Sequence, residues 1–179
     1  MKRREHIWVR GGVVWLAGWC MTLLTGCVAR DYMEMYDLPA SGWKQNQSVV
    51  FTFVPLGVDT LRGGTPSDRW VDITVRHRAD FAYAELPLEI KAVTPDKRFW
   101  VDTVYLPLGK PSEGGEWQWY GNHYSNHYDL TQRYRSRIRY RAAGEYALSI
   151  RQLSGDDPLV GVLSLGVTVS QAAPVTVAE

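Results

Sequence analysis

The sequence predicts an all-β protein: an antiparallel β-sandwich of about eight strands, forming a single domain after a signal peptide. Three observations carry this expectation. From about residue 49 onward, short stretches rich in β-branched and aromatic residues recur between turn signals made of Gly, Pro and Asp. No stretch shows a long apolar stripe at the helical period of 3.6 residues. Strands that follow one another without crossover helices favour two packed sheets over a parallel sheet, with a partly open barrel as the alternative.

The first 26 residues are set apart from the fold. Met1-Lys2-Arg3-Arg4 and Arg10 supply positive charge, and Gly11 to Cys27 then runs without a charged side chain, the order of a secretory signal. That apolar run falls short of the ~20 residues that span a bilayer as a helix. It ends in Leu24-Thr25-Gly26-Cys27, which resembles the bacterial lipobox of a branched apolar residue, two small residues and cysteine. Small residues let a peptidase fit the backbone, and the cysteine sulfur can take a diacylglyceryl thioether. Cys27 is therefore the expected lipidation site and first mature residue; an ordinary signal peptide, or an uncleaved anchor with Cys27 as a bystander, is the competing reading.

Residues 28–47 contain Pro39 and Gly42 and no sustained periodicity. They read as a tether, so that a lipidated segment 27–42 precedes a sandwich domain over 43–170, with Trp43 at its edge. The candidate strands follow in order. Residues 49–54 gather Val49, Val50, Phe51 and Phe53, and 71–78 gather Val71, Ile73 and Val75; Gly63-Gly64-Thr65-Pro66-Ser67-Asp68 separates the two. The stretches 87–93 and 99–106 flank Thr94-Pro95-Asp96-Lys97, a turn by composition. After Gly109-Lys110-Pro111-Ser112-Glu113-Gly114-Gly115 come 116–120, 133–141 and 145–153, and Ser154-Gly155-Asp156-Asp157-Pro158 precedes the last strand, 162–169. Residues 171–179, with Ala172-Ala173-Pro174, read as a flexible C-terminal tail.

Composition narrows the function. Removing residues 1–26 leaves 153 residues with 16 Lys and Arg against 18 Asp and Glu, a formal net charge of −2, so a basic nucleic-acid-binding protein is not indicated. Cys20 leaves with the signal and Cys27 remains alone, so stability must come from packing and not from disulfides.

Two clusters stand out as sites. Arg133, Arg135, Arg137, Arg139 and Arg141 repeat at every second residue, so in a strand all five share one face while Tyr134, Ile138 and Tyr140 point to the other. Such a row suits phosphates, acidic glycans or an acidic protein, because guanidinium forks match carboxylate and phosphate. The plainer reading is a solvated face paired with carboxylates such as Asp102 or Glu145. Trp117, Trp119 and Tyr120, with Tyr124, Tyr128, Asn122 and Asn126 near in sequence, could stack on a sugar or form a protein interface; core packing explains the Trp117/Trp119 alternation equally well.

Chemistry has less material. His123 and His127 have the spacing of two metal ligands on a helix, but their segment is poor in helix formers and no cysteine is near, so no metal is expected; His77, between Arg76 and Arg78, reads as exposed. There is no phosphate-cradling glycine loop, serine elbow or zinc-protease motif. Glu85 and Glu89 on one strand face would stand ~13 Å apart, beyond the reach of glycosidase chemistry. Asp156-Asp157 precedes Pro158 in a turn, where a structural role suffices. The chain reads as non-catalytic and without a cofactor.

Taken in order, Trp43-Lys44, Val50-Phe51-Thr52-Phe53, Asp72-Ile73-Thr74-Val75-Arg76, Asp80 to Leu86, Asp102-Thr103-Val104, Gly115 to Gly121, Gly144-Glu145-Tyr146, Asp157 to Val162 and Leu165-Gly166-Val167 resemble the gliding-motility lipoprotein GldH family of Bacteroidetes-type bacteria. The series covers nearly the whole mature chain and departs at Ala84-Glu85, where the family often has Arg or Asn. The resemblance implies a β-rich lipoprotein of the cell envelope, held to the membrane by its N-terminal lipid on Cys27 and needed for assembly of the gliding machinery. Its implied partners are other envelope or gliding-machinery proteins, and no catalytic residues come with it. A surface glycan-binding module built on Trp117, Trp119 and Tyr120 is the alternative, and a hydrolase a distant third.

Overall fold

The computed structural model describes residues 30–56 and 68–172; the signal segment, Cys27 and tail residues 173–179 lie outside the described residues. The described strands are β1 (Arg30–Asp37), β2 (Val49–Phe53), β3 (Arg69–Arg78), β4 (Glu85–Val93), β5 (Phe99–Pro107), β6 (Gly109–Pro111), β7 (Trp117–Trp119), β8 (Asn122–His123), β9 (His127–Ile138), β10 (Tyr146–Gln152) and β11 (Val162–Gln171). They form a five-stranded sheet β1-β11-β3-β9-β8, a four-stranded sheet β2-β10-β4-β5 and a small hairpin β6-β7, with every neighbouring pair antiparallel. The predicted sandwich of two antiparallel sheets is therefore present, and the described residues include no helix.

The period of two builds the core. On β3, Val71, Ile73 and Val75 are buried while Asp72, Thr74 and Arg76 face outward and stay half-exposed. Leu86, Leu88, Ile90 and Ala92 of β4, Phe51 and Phe53 of β2, Leu148 and Ile150 of β10, and Leu165 and Val167 of β11 fill the space between the sheets. Each Leu, Ile, Val or Phe among them, fully buried, contributes ~1.5–3 kcal/mol by leaving water.

Three boundaries differ from the sequence-based expectation. Residues 30–47 are not a tether: β1 pairs with β11 from Arg30↔Ser170 to Asp37↔Ser164, and Trp43 is fully buried, bonded to Leu159 through both backbone groups. β1 escaped notice because it is an edge strand of largely exposed residues, held by its backbone and by the buried Asp31–Arg69 ion pair and not by apolar alternation. The arginine strand starts at His127 and ends at Ile138, so Arg139 and Arg141 lie beyond it. Gln171 belongs to β11, and the Ala172 N–H donates to the Asp68 carbonyl at 2.8 Å, so the tail begins later than position 171.

The registers give the sandwich two distinct ends. Arg30, Ser170, Arg69 and Ile138 come together at one, with the β4–β5 turn (Val93↔Phe99) and the start of β10, since Tyr140 rests against both Phe53 and Tyr146. At the other, roughly 30 Å away along the ten residues of β3, gather His77, Tyr128, Val162, the β6–β7 hairpin and the segments before β4 and β11.

Candidate functional site

The end farthest from the start of β1 carries a continuous aromatic cluster. Its centre is Trp119, whose ring centroid lies 4.8 Å from His77, 6.5 Å from Phe81, 6.4 Å from Tyr128 and 5.9 Å from Trp117, and whose Nε1–H donates to the Ala79 carbonyl at 3.0 Å. β7 places Trp117 and Trp119 two residues apart on one face of a hairpin, and Gly109 lies opposite Trp119 with no room for a side chain between them. Gly121, at φ +87°, turns the chain from β7 into β8; a Cβ there would meet the Asp129 carbonyl.

The cluster is buried at its base and open at its rim. His77 is fully buried, which corrects the expectation that it is exposed: the alternation of Val71, Ile73 and Val75 continues through it to the inner face. Burial pushes its pKa down, its Nδ1 is 2.9 Å from the Arg78 carbonyl, and its Nε2 has no hydrogen-bond partner among the described residues, so the ring is neutral with the proton on Nδ1. Outside this floor, Trp117 is 44% exposed and Tyr124 48%, with Tyr120 and Tyr83 also open to solvent. Tyr83 donates to Asp156 at 2.6 Å, and Tyr124 stacks on His127 at 4.9 Å. Beside them a shallow recess of about 520 Å³ is lined by Arg78, Asp80 and Asn126. Flat rings flanked by amide, carboxylate and guanidinium groups can stack and hydrogen-bond; they assemble no nucleophile with a base.

The arginine row is exposed at all five positions but not uniform. Arg133 is paired with Asp72 and lies over the Trp70 ring at 4.1 Å, and Arg135 reaches Asp102 at 2.5 Å, as does the hydroxyl of Tyr134. Register shifts between β3 and β9 and a left-handed Arg137 (φ +57°) break the strict alternation, letting Tyr134 and Arg135 approach the same carboxylate. Asp102 belongs to β5, so this contact ties the free flank of one sheet to the other. Arg139 pairs with Asp68; Arg137 and Arg141 have no ion pair among the described residues. The carboxylate partnership foreseen for this row is thus present at Asp102 but not at Glu145.

The acidic groups work as structure. The hydroxyl of Tyr134 and the guanidinium of Arg135 hold Asp102 below the usual carboxylate range, Arg76 does so for Asp129, and Arg151 for Glu89. Tyr134, partly buried beside Asp102, is pushed up to about 12. A general acid at neutral pH needs a carboxyl raised, not lowered. Asp156 and Asp157 accept from Tyr83 and from the Gln45 N–H, the structural role expected of them. His123 and His127 lie on strands, where helical ligand spacing does not apply, and no group of three or more His, Cys, Asp or Glu among the described residues could hold a metal.

Sequence reasoning missed Phe81 and Tyr83, which stand in a loop without strand patterning. It missed too the buried amide of Gln152, which donates to the Trp43 and Asp156 carbonyls at 3.2 and 3.0 Å and accepts from Ser154.

A family model described as GldH lipoprotein matches residues 30–169, from the first residue of β1 into β11, in agreement with the resemblance seen in the ordered segments. That family is not a known family of enzymes. No match is found among curated proteins.

Proposed function

Since the chain belongs to the GldH lipoprotein family, and is thereby a lipid-anchored protein of the cell envelope, we propose that it is a non-catalytic assembly or scaffolding component of the gliding-motility machinery. In this reading Cys27 carries the lipid, and the domain presents the aromatic end of its sandwich to another protein of the envelope. The observation that supports it is the exposure of Trp117, Tyr120, Tyr124 and Tyr83 around the buried His77 and Phe81, at the end of the fold away from the anchored terminus. Aromatic side chains on pre-formed surfaces dominate interface energies, and a critical one often costs more than ~2 kcal/mol when truncated.

The test is recovery of crosslinked proteins from native membranes with the wild type and with a Trp117→Ala/Tyr124→Ala variant. Both side chains are about half exposed, so folding should survive while recovery of specific proteins falls at least tenfold. Undiminished recovery would reject this end as the contact. Saturable binding of a sugar by the purified protein, abolished in the same variant, would favour the glycan-binding alternative, and turnover of any glycan or peptide would reject a non-catalytic role.

A further inference from the structure

The end of the sandwich where β1 begins has its own chemistry. Only Val28 and Ala29 separate Cys27 from Arg30, which is already paired with Ser170. Three residues of chain reach at most ~11 Å, about a third of the length of β3. A lipid on Cys27 therefore holds this end within about that distance of the headgroups, and the domain has no long leash on which to turn over.

The side chains there match what such a surface offers. Arg30, Lys97, Arg98, Arg137, Arg139 and Arg141 stand against Asp68, Asp96 and Glu145, a surplus of positive charge in a mature chain whose formal net is −2. Arg98 and Arg139 are spoken for by Asp96 and Asp68, whereas Arg137 and Arg141 are without an ion pair among the described residues. Beside them Phe99 is 63% exposed and Leu56 57%, with Trp100 also open. A cavity of about 310 Å³ opens between Arg98, Arg139 and Arg141, over Trp100, Tyr140 and Tyr146. The far end differs in sign: Glu113, Glu116, Asp156 and Asp157 are all exposed there.

We propose that this end lies on the membrane surface, with Arg137, Arg139 and Arg141 facing anionic lipid headgroups and Phe99 and Leu56 entering the interfacial layer. The inference rests on the lipid anchor of the preceding reading. Basic side chains close to an anionic leaflet are attracted to it over about a Debye length, and apolar side chains among them gain by partial insertion. A short link, a cationic rim and exposed apolar side chains at one end fix the orientation: the aromatic cluster then points away from the bilayer, roughly 30 Å out.

The mature chain has no cysteine besides the acylated Cys27, so labels can be placed singly. Full-length protein carrying Phe99→Cys or Glu116→Cys is lipidated in the cell, labelled with a fluorophore and reconstituted into vesicles containing phosphatidylglycerol and a headgroup-level spin-labelled lipid. Strong quenching at position 99 and little at 116 is expected, and combining Phe99→Cys with Arg137→Gln, Arg139→Gln and Arg141→Gln should remove most of it. Protein held on the vesicles but quenched equally at both positions, or more at 116, overturns the orientation alone. Protein that stays in the aqueous phase overturns the anchor, and the orientation with it.

Discussion

At the scale of single residues, His77 shows how a polar side chain can serve as core. Its ring is neutral and wedged among Trp119, Phe81 and Tyr128, and burial holds its pKa below the ordinary value of 6.5. A base whose folded pKa is depressed binds a proton more readily when unfolded, so its contribution to stability is whole above pH ~6.5 and is lost as pH falls towards the folded value, by at most ~1.4 kcal/mol per pH unit. The wild type should lose stability between pH 7 and 5, above the range where Asp102 and Asp129 titrate, and His77→Phe should flatten that dependence. Urea midpoints at the two pH values measure it; parallel slopes in both proteins would show that His77 is not the source. The same residue marks a limit of the sequence reading. Flanking arginines argued for exposure, yet the two-residue period of β3 was visible and carried the correct answer.

At the scale of elements, strands with apolar alternation were legible, as were β5 and β7 from their aromatic and β-branched residues, and the short or edge strands without either signal were not. β2, β3, β4, β10 and β11 were anticipated within a few residues, because most of their inward side chains are Val, Ile, Leu and Phe. β1, β6 and β8 have no such signal, since an edge strand or a two-residue ladder draws on backbone pairing. The arginine run announced a strand, but its register shifts and the left-handed Arg137 depend on what β3 and β5 place opposite it. β1 is the element on which the two descriptions differ most. If residues 28–47 were a tether, Asp31→Ala would be silent. With Asp31 fully buried against Arg69, its removal takes away one buried charge-assisted hydrogen bond of this guanidinium, which costs on the order of 1.5–3 kcal/mol. Urea unfolding should show that loss as a lower midpoint with an unchanged slope. A fragment starting at Gly42 should be weakened further, because β11 loses its neighbour.

At the scale of the whole molecule, the sandwich has two ends of different chemistry. One begins three residues after Cys27 and is cationic; the other is aromatic, with acidic groups around it. The family and the two-sheet architecture were legible in the ordered segments and strand pattern, whereas the separation of the two ends was not, since it depends on the packing that brings Trp119 against His77 and Phe81 from a distant part of the chain. The central claim is that this protein acts by holding another envelope protein at its aromatic end. A photo-crosslinking amino acid placed at Tyr124, and separately at Thr103 on the exposed flank, tests it in living cells. A discrete protein adduct at position 124 with none at 103 is the predicted result; no adduct at 124, or the same adducts at both positions, would contradict the account.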